Sequence, residues 1–213
     1  MTEKVKFDDS RFFDAKRLKD LGDGIFAFAM TFLIVTIDIP KVPISMLRSV
    51  LIRIAPDIFT YVMGFFLLAI FWMTNHIQMK NIKRADSRVV WISMLLYLMI
   101  VFVPLTSDIY AFYDGSRMAM LIFNLNILLI GLTFMLQWHH LVVNSLHHEE
   151  FRKDEIKDRY MVSLVLIVVS FLAIIVGLYS PVWSAAVYLL MFMYSMYRRI
   201  RWIQKESLLK NNS

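Results

Sequence analysis

The chain has 213 residues, of which 59% are apolar and 19% charged, with a net charge of +6 and no cysteine. That apolar share exceeds the roughly 45–50% of soluble domains, and the lack of cysteine excludes disulfides, thiol catalysis and Cys-ligated zinc or iron–sulfur sites. The positive balance needs no nucleic-acid partner, because basic residues collect in the cytoplasmic loops of membrane proteins.

The N-terminal stretch carries Lys4, Lys6, Arg11, Lys16, Arg17 and Lys19 among several acids, with no apolar core behind which a signal peptide is cleaved. Six apolar segments follow, at about Leu21–Ile39, Ile58–Thr74, Val89–Ser107, Met118–Trp138, Met161–Ser180 and Val182–Tyr197. Each approaches the roughly 20 residues that cross about 30 Å of hydrocarbon as a helix. In lipid the backbone must satisfy its own hydrogen bonds, and the short alternating segments of a β-barrel are absent. The expectation is an all-α membrane protein of six transmembrane helices in one domain, residues 1–213.

Breakers fall between the segments. Pro40 and Pro43 follow the first, Asp57 after Pro56 suits an N-cap of the second, and Pro104 falls near the end of the third. Asp114-Gly115-Ser116 reads as a turn, and Ser180-Pro181 leaves almost no loop between the fifth and sixth, which implies a tight antiparallel hairpin. Charge then sets orientation. Apart from Lys41, Arg48, Arg53 and Arg117, every Lys and Arg lies in the two tails, the second-to-third loop or the fourth-to-fifth loop. The positive-inside rule places these, and both termini, on the cytoplasmic side of the cell membrane.

The first segment is unusual for a lipid-facing helix, since it contains charges and glycines. At 100° per residue, Arg17, Leu21, Gly24, Phe28, Thr31 and Val35 form one stripe, bordered by Phe32. Asp23 lies off that stripe, about 140° from Phe28. It points toward the surrounding bundle, where Arg17, Trp72 or His76 is available as partner; the other reading is an interfacial acid wetted by water. The stripe also has two readings. As structure it is a helix-packing face. As function it is the wall of a pore made by identical first helices, in which Phe28 narrows the path, Thr31 offers oxygens to an ion and Val35 adds an apolar ring; such constrictions gate by dewetting.

These residues resemble the opening of a known family. The endosomal and lysosomal potassium channels begin their first helix with Arg-x-x-x-Phe-Ser-Asp; this chain reads Arg17-x-x-x-Leu21-Gly22-Asp23, followed by Gly-Ile-Phe-Ala-Phe-Ala-Met-Thr. Trp72-Met-Thr-Asn75-His76 is similar to the family's Trp-x-x-His-His, and Lys83-Arg84-Ala-Asp86 before an aromatic third helix matches its layout. The motifs cover about the first 110 residues and the six-helix plan the whole chain, as in a prokaryotic single-repeat member. The resemblance implies a potassium-permeable channel that assembles as a homotetramer, with the first helix lining the pore and no Thr-Val-Gly-Tyr-Gly filter. It puts the apolar constriction at Phe28, the hydroxyl layer at Thr31 and further apolar layers at Phe32 and Val35. Arg17, Leu21, Gly22, Asp23, Trp72 and His76 then hold the helix base. Potassium is the permeant ion, with no cofactor and no bound metal. The chain departs from the family at Leu21 for Phe, Gly22 for Ser, Asn75 for the first His, and Phe28 for the usual Ile or Leu.

The remaining polar groups are read as structure. His139, His140, His147 and His148 with Glu149 and Glu150 form a polar helix extension in preference to a metal site. Asn124, Asn126 and Gln137 hydrogen-bond between helices. Trp138, Trp183 and Trp202 anchor at interfaces, the basic tail Arg198–Lys210 meets anionic lipid, and Asp38 either concentrates cations at a pore mouth or is a solvated helix end. No Gly-x-Ser-x-Gly, Walker or His-Glu-x-x-His pattern is present, so no enzyme is expected. The alternatives to a channel are a secondary transporter, which needs midplane ionisable groups that the sequence lacks, and a non-conducting membrane scaffold.

Overall fold

A computed structural model of the protein describes residues 13–35, 42–80, 82, 85–113, 115–146, 153–198 and 200. Among these, helices account for nearly everything and there is no strand; an antiparallel bridge joins Phe13 to Ala85. The helices are α1 (Ala15–Val35), α2 (Leu47–Lys80), α3 (Ser87–Phe112), α4 (Arg117–Val143), α5 (Lys153–Tyr179) and α6 (189–198).

Contacts between helix ends fix an up-and-down order. The start of α1 meets the end of α2 and the start of α3, through Trp72–Asp23 and Tyr97–Leu18. The end of α4 meets the starts of α3 and α5, through His140–Asp86 and Trp138–Ile156. At the opposite end Tyr61 of α2 donates to Asp108 of α3, 2.9 Å. α1 packs on α2 and α3, while α4 lies on the far side of α3 and packs on α3 and α5. The core runs along α3 and α4, whose apolar residues are distributed around the helix, as expected of helices that span a membrane.

Among the described residues, four helices are long and apolar enough to cross a membrane: Ile58–Lys80, Ser87–Phe112, Arg117–Val143 and Ile156–Tyr179. α1 has the length, at 21 residues, but carries Lys19, Asp20 and Asp23 in its first half. α6 is described only over 189–198.

Several boundaries differ from expectation, each for a physical reason. α2 begins at Leu47, after a 3₁₀ turn over Ile44–Met46, so Asp57 is not its N-cap; the backbone stays helical through residues 56 and 57. Val50 and Ile54, both buried, give this first stretch a packing face, and membrane helices tolerate an internal proline when neighbours satisfy the freed backbone groups. At 34 residues α2 is about 51 Å long and outreaches the hydrocarbon. Pro104 likewise sits inside α3, which continues to Phe112. There the Thr106 hydroxyl donates to the Val103 carbonyl at 3.1 Å, and Asn126 of α4 donates to the Met99 carbonyl at 3.2 Å.

The expected sixth helix from Val182 is first two 3₁₀ turns, Pro181–Trp183 and Ala185–Tyr188, and becomes α-helical at residue 189. The Tyr110 hydroxyl takes the Pro181 carbonyl at 2.6 Å, so side chains of neighbouring helices hold this stretch in a tighter turn. Ser184 is held by the Asn124 amide at 2.6 Å. Trp138 is not an interfacial anchor: it is fully buried, and its indole N–H donates to the Ile156 carbonyl at 3.2 Å. Trp183 is exposed, and Trp202 lies outside the described residues.

The exposed stripe of α1 and its polar base

α1 divides into two faces. Leu18, Gly22, Phe26, Ala29 and Leu33 are buried, at spacings of 4, 4, 3 and 4 that keep them on one side of a 3.6-residue helix. The opposite side is open. Arg17, Leu21, Gly24, Phe28, Thr31 and Val35 are all exposed, as is Phe32. Phe28 keeps 59% of its surface, whereas Phe26 keeps none. The stripe expected from periodicity is thus the face of α1 that its own subunit leaves uncovered. Phe28 and Phe32 stack, with ring centroids 5.6 Å apart and planes 19° off parallel. The Thr31 hydroxyl donates to the Ala27 carbonyl at 2.8 Å, which commits its proton to the helix and leaves its oxygen lone pairs facing outward. A Cβ added at Gly24 meets nothing within 4 Å.

The base of the helix is held from the other side. Asp23 is half-buried and accepts the Trp72 indole N–H at 2.8 Å. His76 does not reach Asp23; its ring lies against Trp72, with centroids 5.5 Å apart. Arg17 stands 4.0 Å from Asp14, both well exposed, a pair of small energetic weight. Of the candidate partners for Asp23, Trp72 is therefore the one the fold brings to it.

Gly22 marks the closest approach. A Cβ there would sit 2.4 Å from the Tyr97 Oη and 2.7 Å from its Cζ. Only glycine leaves room for the Tyr97 ring, whose hydroxyl donates to the Leu18 carbonyl at 3.0 Å. Asn75 is fully buried, with its side chain beside that hydroxyl. A tyrosine hydroxyl from α3 thus lies against the turn of α1 that contains Gly22. Tyr97 was not among the residues singled out from the sequence, and nothing in the linear pattern joins it to Gly22.

Asp86 was noted only as part of the Lys83-Arg84-Ala-Asp86 layout; its place just ahead of an apolar run is also an N-cap signal. Its Oδ1 accepts the Val89 amide at 2.8 Å and its Oδ2 lies 2.9 Å from His140 Nε2. Burial works against its ionisation, but the Val89 amide, His140 and nearby Arg88 outweigh it and hold the carboxyl below the ordinary carboxylate value. His139 pairs with the Tyr160 hydroxyl at 3.2 Å. His147, His148, Glu149 and Glu150, like Asp38 and the tail beyond residue 200, lie outside the described residues. Asn124, Asn126 and Gln137 each bond to another helix or turn, through Ser184, Met99 and Ser93.

Residues 17–104 match the family described as endosomal/lysosomal potassium channel TMEM175. That match makes residues 17–104 similar to the TMEM175 family. It is the family whose motif the first helix resembles, and it is a family of ion channels, not of enzymes. A potassium channel of Streptomyces collinus is 27% identical over 134 residues, covering 60% of this chain and 65% of the relative. A potassium channel of Chamaesiphon minutus is 25% identical over 130 residues, covering 58% and 64%. The chain therefore aligns with slightly under two thirds of each relative's length. Among solved structures, a lysosomal potassium-selective channel TMEM175 homolog from Chamaesiphon minutus superposes with a TM-score of 0.74 at 23% identity, covering 88% of this chain and 97% of the other. A variant of the potassium channel MtTMEM175, bound to a nanobody fusion, gives 0.61 at 16% identity, covering 93% and 98%. At those identities the likeness to TMEM175 structures is one of fold.

Proposed function

We propose that this protein is a potassium channel of the cell membrane, a homotetramer of six-helix subunits formed by the whole chain, with both termini in the cytoplasm. The observation that carries the reading is the division of α1. One face is fully packed by its own subunit, while a continuous stripe of Leu21, Gly24, Phe28, Thr31 and Val35 is left open. In a segment similar to the TMEM175 family the economical use of such a stripe is the wall of a pore on a symmetry axis, with four copies of α1 around it. The relatives named as potassium channels supply the ion.

In this arrangement Phe28 and Phe32 form stacked apolar rings that narrow the path and resist wetting. Thr31 sits between them with oxygen lone pairs free to take the place of part of an ion's hydration shell. Val35 extends the apolar lining. Asp23 and Trp72, Gly22 and Tyr97, and His76 behind Trp72 hold the base of each α1, so that the rings of four subunits meet at one level. No cofactor or bound metal enters; the ion passes down its own gradient.

The test is potassium flux from liposomes containing the purified protein, paired with sodium. Potassium flux above sodium and above empty liposomes is expected, and Phe28→Ala should raise it several-fold. Flux equal to that of empty liposomes in both the native protein and Phe28→Ala, from folded oligomers, would refute the channel. An active protein indifferent to Phe28→Ala would remove Phe28 from the constriction.

A further inference from the structure

At the end of the bundle that holds the base of α1, the seam between α3 and α4 opens into a crevice of about 600 Å³. Its walls are apolar: Trp91 on α3, and Leu136 and Val143 on α4. These side chains turn away from the core, Trp91 with 74% of its surface exposed and Val143 with 64%. In a membrane protein such surface at helix ends faces lipid near the headgroups, where tryptophan is favoured. Its rim is polar, with Ser87 and Arg88 in the first turn of α3 and His139 at the end of α4.

Charge at the rim is only partly compensated, by the Asp86 carboxylate near Arg88. Asp86 lies beside the crevice, but its two oxygens are occupied by the Val89 amide and His140. Arg88 makes no hydrogen bond or ion pair to a described residue. Lys83 and Arg84 precede it in the sequence, and Lys80 ends α2. A basic rim above an apolar wall between two membrane helices fits an amphiphile with a negative head. A free anion has no use for the wall, and a zwitterionic lipid leaves the guanidinium without a net counter-charge. The crevice also lies across α3 from α1, since α1 packs on α2 and α3, so an occupant does not displace the base of that helix.

We propose that this crevice binds an anionic phospholipid, with its phosphate on Arg88 and the Ser87 hydroxyl and an acyl chain along Trp91, Leu136 and Val143. The site is independent of the channel reading and is tested without measuring flux. The full chain is placed in phosphatidylcholine vesicles containing a small, equal fraction of either brominated phosphatidylglycerol or brominated phosphatidylcholine. Quenching of Trp91 fluorescence is taken as the difference between the native protein and Trp91→Phe. The expected result is a preference of about fivefold for the brominated anionic lipid, the advantage one guanidinium near an anionic headgroup confers. In Arg88→Gln that preference should vanish while bulk-lipid quenching of Trp91 persists. Equal quenching by the two lipids would overturn the proposal, as would a preference that survives Arg88→Gln or a Trp91 that neither lipid reaches. As a second reading that does not depend on Trp91→Phe folding, phosphatidylglycerol added to the detergent-solubilised protein should raise the unfolding temperature of the native chain and not that of Arg88→Gln. The same rise in both would also overturn it.

Discussion

The two faces of α1 share a backbone and an environment yet are built to opposite rules. On the buried face side-chain size is matched to neighbours: Gly22 admits Tyr97, Ala29 is fully enclosed, and Phe26 and Leu33 fill what remains. On the open face Phe28, Phe32 and Val35 are bulky yet exposed, with Phe28 and Phe32 stacked on each other. In lipid there is little hydrophobic drive to bring helices together, so close packing and hydrogen bonds must do it. The first face has both. The second has only the Phe28–Phe32 stack and the Thr31 bond to its own backbone, and the proposed pore gives it a use.

The comparison is sharpest for the two phenylalanines. Phe26→Ala opens a cavity in a sealed contact and should cost of the order of 3 kcal/mol, read as a fall in unfolding temperature in detergent. Phe28→Ala should leave that temperature nearly unchanged while altering flux. If both variants lose stability alike, the stripe is an ordinary packing face. Next in size is Gly22→Ala, whose new Cβ collides with Tyr97 and should destabilise by about 1–3 kcal/mol. Tyr97→Phe removes the nearest atom, so the double variant should be less destabilised than the sum of the two single changes; strict additivity would mean that the two residues do not compete for the space.

A smaller effect is expected at the base of the helix. Trp72→Phe keeps the ring and deletes the hydrogen bond to Asp23, for a loss of about 1–2 kcal/mol, and Asp23→Asn should lose less because an acceptor remains. Identical losses from Trp72→Phe in the native and Asp23→Ala backgrounds would dissociate the pair. The smallest effect depends on pH. The Asp86 carboxyl lies below its ordinary value when folded, so its stabilising contribution is complete above the ordinary carboxylate range and is lost as pH falls through the lowered folded value. Thermal unfolding followed downward from about pH 7 to pH 3 should therefore decline less steeply for Asp86→Asn than for the native chain. Parallel curves would show that Asp86 contributes no such term.

Much of this was legible in the linear order. Long apolar runs flanked by charge reported membrane helices, because backbone in lipid has no other partner for its polar groups. The period of α1 separated its two faces, because 3.6 residues per turn is a property of the helix and not of its neighbours. The motif Arg17-x-x-x-Leu21-Gly22-Asp23 pointed to the family that residues 17–104 match.

Helix ends were less legible. Pro56 read as the approach to a helix start and Pro104 as near a helix end, but both lie inside helices; near Pro104, Thr106 and Asn126 donate to the Val103 and Met99 carbonyls. Val182 read as the start of a helix, but Tyr110 from α3 holds that turn. The pairings were decided by the tertiary structure alone. Asp23 had three candidate partners within reach of one helix end, and only the way α2 lies along α1 selected Trp72. Gly22 read only as a departure from the motif it resembles, until Tyr97, 75 positions later in the sequence, was found in the space beside it. Spacing along a helix is set by local geometry and can be counted. Contact between helices depends on their separation and rotation, which the whole set of packed side chains fixes together.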